Sequence, residues 1–324
     1  MLSHTLLRLL VVVLLGTALL VPATGVAAQA TPEGSLDNPF ADLGLTQIDI
    51  TATDDAFDGV PAELDAGRYV VALTNGLTGE DTTGGAFLQI PEGMTTDEFL
   101  EQTAPPEATP AGDAAVAEAS PAAEGGPDEL PPWYYETRIA GGPYANPGET
   151  TYAVVDLNAG EWVFWAENPG APQAPAPIAV SGEMPADLPV PEADVTVEMS
   201  EFAFAFSGPV SAGPQVIELA NVDDQPHFIG VGAVPAGTTS EDLLALIESE
   251  FSDAPATPIA TPEGGLSFEN IAEVFGTGDQ AGGVTAWYST NFEPGTHGAL
   301  CFITDPETGL PHVMLGMIEV FEVE

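Results

Sequence analysis

The side chains with the most distinctive chemistry lie near the end of the chain. The protein has a single cysteine, Cys301, which is followed by His312, Met314 and Met317, and a further histidine, His227, follows an Asn-Val-Asp-Asp-Gln-Pro segment. Thiolate, imidazole and thioether groups together suit copper and other soft or borderline metals. Each residue also has an ordinary explanation by itself, since a lone cysteine or methionine on an apolar strand commonly packs as a hydrophobe. Taken together, the three residue types favour a metal site.

The elements that would position these residues form a repeated series of short strands. Alternating apolar and polar residues predict strands, and successive segments of the first half resemble segments of the second half in type and order. The matched pairs are 47–52 with 195–200, 69–75 with 216–221, and 86–93 with 227–237. Each series continues into a helix start, at Thr95 or Thr239, where acidic residues follow as helix N-termini prefer.

The predicted fold class is all-β, with two tandem Greek-key β-sandwich domains that each contain one short helix. The first domain is expected over residues 45–182 and the second over 193–324, joined by a linker at 183–192 that is rich in proline and acidic residues. Two Pro/Ala/Glu-rich stretches, at about 105–132 and 253–265, lack apolar periodicity and are predicted to be solvated loops at the same place in both domains.

Residues 1–30 are predicted to be a secretory signal peptide. Arg8 supplies positive charge, an apolar run covers residues 9–21, and an Ala-Gln-Ala sequence at 28–30 fits a cleavage site. An uncleaved anchor is the alternative, but the apolar run is short for a bilayer span. No later segment is long and apolar enough to cross a membrane. The sequence therefore predicts a secreted or extracytoplasmic protein whose mature chain begins with a linker at 31–44.

The chain is strongly acidic, with 50 Asp and Glu residues against 3 Lys and Arg residues. Such a surface repels nucleic acid and anionic lipid and favours basic partners or cations, so nucleic acid is not an expected partner. Because the acids are scattered along the chain, adaptation to salt or another harsh exterior explains them without a specific partner. A single cysteine cannot form an internal disulfide, so Cys301 is expected to be buried, paired between chains or bound to a metal.

The second half resembles the cupredoxin family of blue, or type 1, copper proteins. The resemblance rests on His227 after an Asn…Pro segment, and on the order Cys301, His312 and Met317 ahead of the final strand, with Met317 in a Gly-Met pair five positions after His312. It implies a Greek-key sandwich that holds one copper, with His227, Cys301 and His312 as equatorial ligands and Met317 as the axial ligand. It covers the chain from about residue 193 onward and the first half more weakly, as a fold without ligands.

Alternatives remain for two side chains near these ligands. Met314 is the other candidate for the axial position, although it lies only two positions after His312. His297 is interpreted as a turn residue near Gly295 rather than a ligand. The ten residues between Cys301 and His312 exceed the gap in many small blue copper proteins, and their turn-forming residues allow the loop to bulge outward.

The first half is predicted to bind no copper. Ala86 or a neighbour falls near the position of His227, and Trp165 and Ala166 fall near the position of Cys301. The segment 169–177, which corresponds to the last ligand loop, contains neither histidine nor methionine. We therefore expect the first domain to have a structural role or to dock a partner.

The expected function is that of an exported copper protein that transfers single electrons through one type 1 copper to a redox protein, which the acidity of the chain predicts to be basic. A metal-free interaction or structural module and a copper carrier without a redox role are the alternatives. We expect no enzyme, because three histidines after the signal peptide are too few for the further copper centres of multicopper oxidases and copper nitrite reductases. Hydrolase, phosphate-loop and dinucleotide motifs are also missing from the sequence.

Overall fold

A computed structural model describes residues 37–79, 81–103, 130–166, 173–250 and 265–324. The predicted signal peptide, the start of the predicted linker at 31–44, and nearly all of the two Pro/Ala/Glu-rich stretches lie outside these residues. So do residues 169–172 of the segment 169–177, which corresponds to the last ligand loop. Among the residues that the structure describes, no helix combines the length and apolarity needed to span a membrane.

Short strands dominate both halves of the chain. The first half contains β1 (Thr46–Ala52), β2 (Phe57–Asp58), β3 (Glu63–Asp65), β4 (Gly67–Asn75), β5 (Thr83–Gln89), β6 (Tyr144–Ala145), β7 (Thr150–Leu157), β8 (Gly160–Ala166) and β9 (Ala176–Ser181). The second half contains β10 (Val195–Ser200), β11 (Ala203–Ser207), β12 (Gly213–Asn221), β13 (Gly230–Ala233), β14 (Ala272–Gly276), β15 (Thr285–Phe292), β16 (Gly295–Leu300) and β17 (Ile318–Val323). The all-β prediction is confirmed.

The strands pair in a corresponding order in the two halves. The order β2-β1-β4-β7 in the first half matches β11-β10-β12-β15 in the second, and the opposing sheets run β6-β5-β8-β9-β3 and β14-β13-β16-β17. The corresponding pairs β1 with β4 and β10 with β12 are both parallel, and the first half has a second parallel pair, β3 with β9. Each half is thus a two-sheet β-sandwich of the cupredoxin type, as predicted.

Apolar alternation explains which face of each strand is buried. In β10 the side chains of Val195, Val197 and Met199 are buried, whereas the intervening Glu198 is exposed. One apolar cluster runs through both sandwiches and includes Cys301 and Met317. Cys301 and Met317 are therefore part of a continuous core, which limits how far their backbone can move.

Both predicted helices are present and begin with a capping box. They are α1 (Thr96–Thr103) and α3 (Ser240–Glu250). Thr95 exchanges hydrogen bonds with Glu98, and Thr239 does so with Asp242, so that side chains satisfy backbone N–H groups at each helix start.

The prediction of one helix per domain needs correction for the first half. A further short helix, α2 (Pro132–Glu136), follows the first low-complexity stretch. Pro132 lies at the start of this helix, where proline's fixed φ is favourable, and the ring of Tyr134 is buried. The short span and the adjacent prolines concealed this helix at the sequence level.

The two halves share one sheet. Strand β7 is the edge strand of one half and β15 that of the other. They pair in antiparallel fashion, with Val154 opposite Trp287, and so form a continuous eight-stranded sheet. Phe40 is buried in a cluster that also contains Val154 and Trp287. Phe40 thus packs against strands of both halves, although it belongs to the linker predicted at 31–44, and that boundary remains a prediction. The limits 45–182 and 193–324 remain a prediction.

Backbone pairing continues the contact between the halves. Residues 139–143 of the first half run beside residues 277–281 of the second, with Ala140 opposite Gln280 and Pro143 opposite Thr277. Gln280 in turn forms a bridge with His227. The first half therefore lies one backbone segment away from the first candidate ligand.

Candidate metal centre

Three of the predicted ligands meet in the fold. Each of His227, Cys301 and His312 is buried, and one ligand atom from each lies within 4.8 Å of the others. The two Nδ1 atoms of His227 and His312 are 3.0 Å apart, and the Sγ atom of Cys301 is 3.6 Å from His312 Nδ1. Among the described residues, this is the one such group of three His, Cys, Asp or Glu side chains.

His227 is held by the loop that follows β12. Its N–H donates to the carbonyl oxygen of Gln280, and the N–H of Gln280 donates back to His227. Asn221, the last residue of β12, donates from Nδ2 to the carbonyl oxygens of Gln225 and Gln280 and accepts the N–H of Asp223. Because these hydrogen bonds satisfy the buried side-chain amide of Asn221, they fix the shape of this loop, which is not part of a regular strand.

Cys301 and His312 are joined by backbone bonds across their loop. The N–H of His312 donates to the carbonyl of Ile303, and the N–H of Val313 donates to that of Cys301. His312 begins the 3₁₀ turn His312–Leu315, which ends at Gly316 in a left-handed conformation. Met317 then donates its N–H to the carbonyl of His312, so the three positions of the predicted Cys-His-Met set are tied together.

The long loop between Cys301 and His312 closes on itself. Asp305 accepts the N–H and the hydroxyl of Thr308 on one oxygen, and its own N–H donates to the carbonyl of Leu310. Thr304 and Pro311 form a bridge at the base of the loop. The added residues therefore project as a compact turn, which leaves Cys301 and His312 adjacent.

Outer partners orient both imidazoles. His227 Nε2 lies 3.1 Å from a carboxylate oxygen of Asp223, which can only accept a hydrogen bond. His312 Nε2 lies 3.1 Å from Gln225 Oε1, and the amide of Gln225 is oriented by donation from its Nε2 to Asp305. Both Nε2 atoms are therefore the protonated ones, which leaves the lone pairs of both Nδ1 atoms directed toward each other and toward Cys301.

Burial sets the protonation state of the group. It lowers the pKa of His312 to about 4, with the neighbouring His227 adding to the effect, and it also lowers the pKa of His227. Burial raises the pKa of the Cys301 thiol to about 12, although the N–H groups of Phe228 and Ile303 donate to its sulfur and favour the thiolate. Without a cation the site thus contains two neutral imidazoles and a protonated thiol.

The remaining candidates occupy different surroundings. Met317 is buried in the same apolar cluster as Cys301, whereas Met314 packs in a separate cluster beside α3. His297 lies on β16, stacks on Phe321, and its Nδ1 faces the carbonyl of Gly295, away from the three-residue group. Met317 therefore shares the core of Cys301, and His297, which was interpreted as a turn residue, lies within β16.

Sequence reasoning did not identify the outer partners. Asp223 and Gln225 lie four and two positions before His227, in the segment that carried the resemblance, but no role was assigned to them. Their spacing from His227 was the available signal. The partner of Gln225 is Asp305, on a loop 80 residues away, and local pattern does not reveal such a pairing.

Comparison with known proteins gives distant similarities of fold. No protein-family profile matches the chain, and no curated protein matches it. Solved structures that are similar to it include reduced auracyanin from Roseiflexus castenholzii, with 18% identity over 40% of this chain and 94% of that chain and a TM-score of 0.24. The assignment of a cupredoxin-like fold rests on the strand order of the two halves.

Two enzymes align with most of the chain. A variant of the multicopper oxidase McoA from Aquifex aeolicus has 12% identity over 89% of this chain and 70% of that chain, with a TM-score of 0.25. Copper nitrite reductase from Nitrosomonas europaea has 12% identity over 86% of this chain and 94% of that chain, with a TM-score of 0.22. The prediction that this chain is not an enzyme is contradicted by these similarities and is withdrawn, whereas likeness at this distance assigns no activity to the chain.

Proposed function

We propose that this protein binds one copper ion through His227 Nδ1, Cys301 Sγ and His312 Nδ1. The observation that carries the proposal is the pair of Nδ1 atoms 3.0 Å apart, since the partners of both Nε2 atoms leave no proton on either Nδ1. Two lone pairs at that distance repel each other, and the lowered imidazole pKa values disfavour a bridging proton. A metal cation between them and the adjacent sulfur resolves the conflict.

Met317 is proposed as the axial ligand. Its N–H bond to the His312 carbonyl and its burial beside Cys301 support this role. A set of two imidazoles, one thiolate and a weak thioether accepts both Cu(I) and Cu(II), and this is the redox chemistry that copper would supply. The protein's contribution is a ligand set that is fixed by backbone bonds and closed to water, so that little has to move when an electron is gained or lost.

We propose that the protein acts as an electron carrier outside the cytoplasm. The predicted signal peptide at residues 1–30 supports export. The net charge of −47 supports a partner with a basic face, because opposite charges accelerate encounter and orient the two proteins. The rate of electron exchange with such a partner should fall as ionic strength rises.

Visible absorption during copper addition tests this function. Cu(II) added to the mature protein should produce an intense thiolate-to-copper band at one equivalent, and Cys301→Ala should abolish it. Met317→Leu should shift the band while the matched variant Met314→Leu leaves it unchanged. Absence of the band in the native protein would refute the proposed site. If the band appears but reductant and oxidant do not bleach and restore it, the protein carries copper without transferring electrons.

A further inference from the structure

The turn between β10 and β11 adopts an unfavourable backbone conformation beside the proposed metal centre. Ser200 pairs with Ala203, so Glu201 and Phe202 form a two-residue hairpin turn, with φ values of 42° and 61°. Among the described residues, these are the only two non-glycine residues with positive φ. Such a turn normally contains Asn-Gly, because a Cβ atom raises the energy of the left-handed conformation.

Both strained residues contact the candidate ligand shell. The ring of Phe202 lies against the imidazole of His312, with 4.8 Å between the ring centroids and 56° between their planes. The N–H of Glu201 donates to the oxygen of Asp223 that also faces His227 Nε2, at 2.7 Å. One turn therefore reaches the outer partner of the first histidine and the ring of the second.

The first half provides the matching turn without strain. Strands β1 and β2 are joined through Thr53 and Ala56, where Thr53 Oγ1 bonds with the backbone of Ala56 and no residue of the connection has a positive φ. That half has no candidate ligand group among its described residues. Strain occurs in the copy that holds the ligands and is missing from the copy that lacks them.

We propose that Phe202 is a positioning residue that seals the metal centre, and that the strained turn is retained because it holds this ring on His312. The inference rests on the proposed function for the identity of the centre. The seal itself concerns only the three ligand side chains, which are all buried, and Phe202 packs against the apolar cluster that includes Cys301. A left-handed conformation that the surrounding structure maintains against its cost is typical of functional positions.

The reaction of Cys301 with a thiol reagent in the metal-free, full-length mature protein tests the seal. Phe202→Ala should accelerate this reaction about tenfold, because the buried thiol becomes accessible through a smaller local opening. Phe206→Ala is the matched control, since Phe206 is a partly buried ring on β11, the strand that follows the turn, and packs on Phe321. It should leave the rate near the native value.

The turn strain is tested separately by Glu201→Gly. This variant keeps the ring and the N–H that binds Asp223 but removes the Cβ at φ 42°, so it should raise the unfolding temperature by about 2–4 °C and leave thiol reactivity unchanged. A lower unfolding temperature would overturn the role of strain. Equal thiol reactivity in Phe202→Ala and native protein, or equal acceleration in Phe202→Ala and Phe206→Ala, would overturn the seal.

Copper release distinguishes this proposal from the proposed function. In copper-loaded protein, Phe202→Ala should lose metal to a chelator about tenfold faster than the native protein and the Phe206→Ala control. If the native protein binds no copper, the proposed function fails while the thiol reaction still decides the seal. If copper binds and is released at equal rates from all three proteins, the proposed function stands and the seal is refuted.

Discussion

The two halves of this molecule place different residues on the same scaffold. Strands β8 and β16 begin at Gly160 and Gly295, so Ala166 occupies the position of Cys301. The ladders of these strands with β5 and β13 then put Thr83 at the position of His227. The sequence predicted Ala86 or a neighbour for this position, whereas the strand register places Ala86 at the position of Gly230, three residues further on.

The hydrogen bonds that shape the ligand loop occur in both halves. Asn75 ends β4 as Asn221 ends β12, and each donates from Nδ2 to two backbone carbonyls and accepts an N–H two residues further on. The hydrogen bonds that shape this loop therefore do not depend on the presence of metal ligands. What distinguishes the second half is the set of His227, Cys301 and His312, together with the closed loop that carries the last of these.

The halves also support one another. The hydroxyl of Tyr135, in α2 of the first half, donates to the carbonyl of Thr304 in the ligand loop, at 2.6 Å. Residues 139–143 pair with the segment that contains Gln280, which pairs with His227. The half without ligands thus forms part of the wall of the proposed metal centre, which gives it a structural role beyond that of a second copy.

The largest expected effect comes from exchanging the thiol between the halves. Cys301→Ala should abolish the thiolate–copper absorption, and adding Ala166→Cys to that variant should not restore it, because Thr83 replaces the histidine that the new thiol would need. Absorption spectra of both variants after copper addition check this. A restored band in the double variant would show that the first half can assemble a site and would contradict the comparison.

The matched asparagines should separate stability from metal binding. Asn75→Ala and Asn221→Ala should each lower the free energy of unfolding by about 3 kcal/mol, because buried carbonyls lose their donors. Only Asn221→Ala should weaken copper binding, since Asn221 shapes the loop that ends at His227. Urea unfolding and copper titration measure the two effects. Equal weakening by both substitutions would indicate that binding merely follows global stability.

Acid should remove the contribution of the buried histidines to the stability of the metal-free protein. The unfolded chain protonates histidine near pH 6.5, whereas folded His312 does so only near pH 4. Between these values the unfolded state binds more protons at this histidine, so the contribution of His312 to stability falls as pH drops, by on the order of 2 kcal/mol. The lowered pKa of His227 acts in the same direction. Burial raises the pKa of Asp279 to about 7, so this carboxyl binds its proton more tightly in the folded state and acts in the opposite direction over the same interval. Carboxylates with lowered pKa values, such as Asp223, also stabilise the folded state, and they lose this contribution to stability only below about pH 4.

Unfolding curves from pH 7 to pH 4, compared with those of His312→Gln, check the acid effect. The variant should show a smaller decline over this interval because one of the two neutral imidazoles is gone. An identical decline in both proteins would assign the pH dependence to other groups.

The smallest expected effect concerns the contact between halves. Tyr135→Phe should cost about 1 kcal/mol of stability and should speed copper release, because the ligand loop loses the hydrogen bond at Thr304. Tyr69→Phe is the matched control, since its hydroxyl donates to Asp65 within the first half. It should lower stability similarly and leave copper release unchanged. Equal copper release rates in the two variants would show that the contact with the first half does not stabilise the metal centre.

Local sequence pattern predicts much of this architecture. Alternation in β10 and the threonine caps at Thr95 and Thr239 are short-range features, and they identified strands and helix starts correctly. The residues of the three-membered ligand group were also named from the sequence. Their meeting in space had to come from the fold, since 74 positions separate His227 from Cys301.

Other features depend on contacts that local pattern does not encode. The edge pairing of Val154 with Trp287, which joins the sheets, and the bond between Gln225 and Asp305 both connect residues far apart in the chain. The Glu201-Phe202 turn runs against local preference, because neither residue type favours a left-handed conformation. Such a conflict is expected where tertiary contacts to a site override local propensity.

X-ray absorption at the copper edge of the loaded native protein tests the central claim most directly. The account predicts one sulfur and two imidazole nitrogens in the inner shell of a single copper, with the sulfur lost in Cys301→Ala and one imidazole lost in His312→Gln. A shell of oxygen and nitrogen without sulfur in the native protein would place the copper elsewhere and would contradict the account.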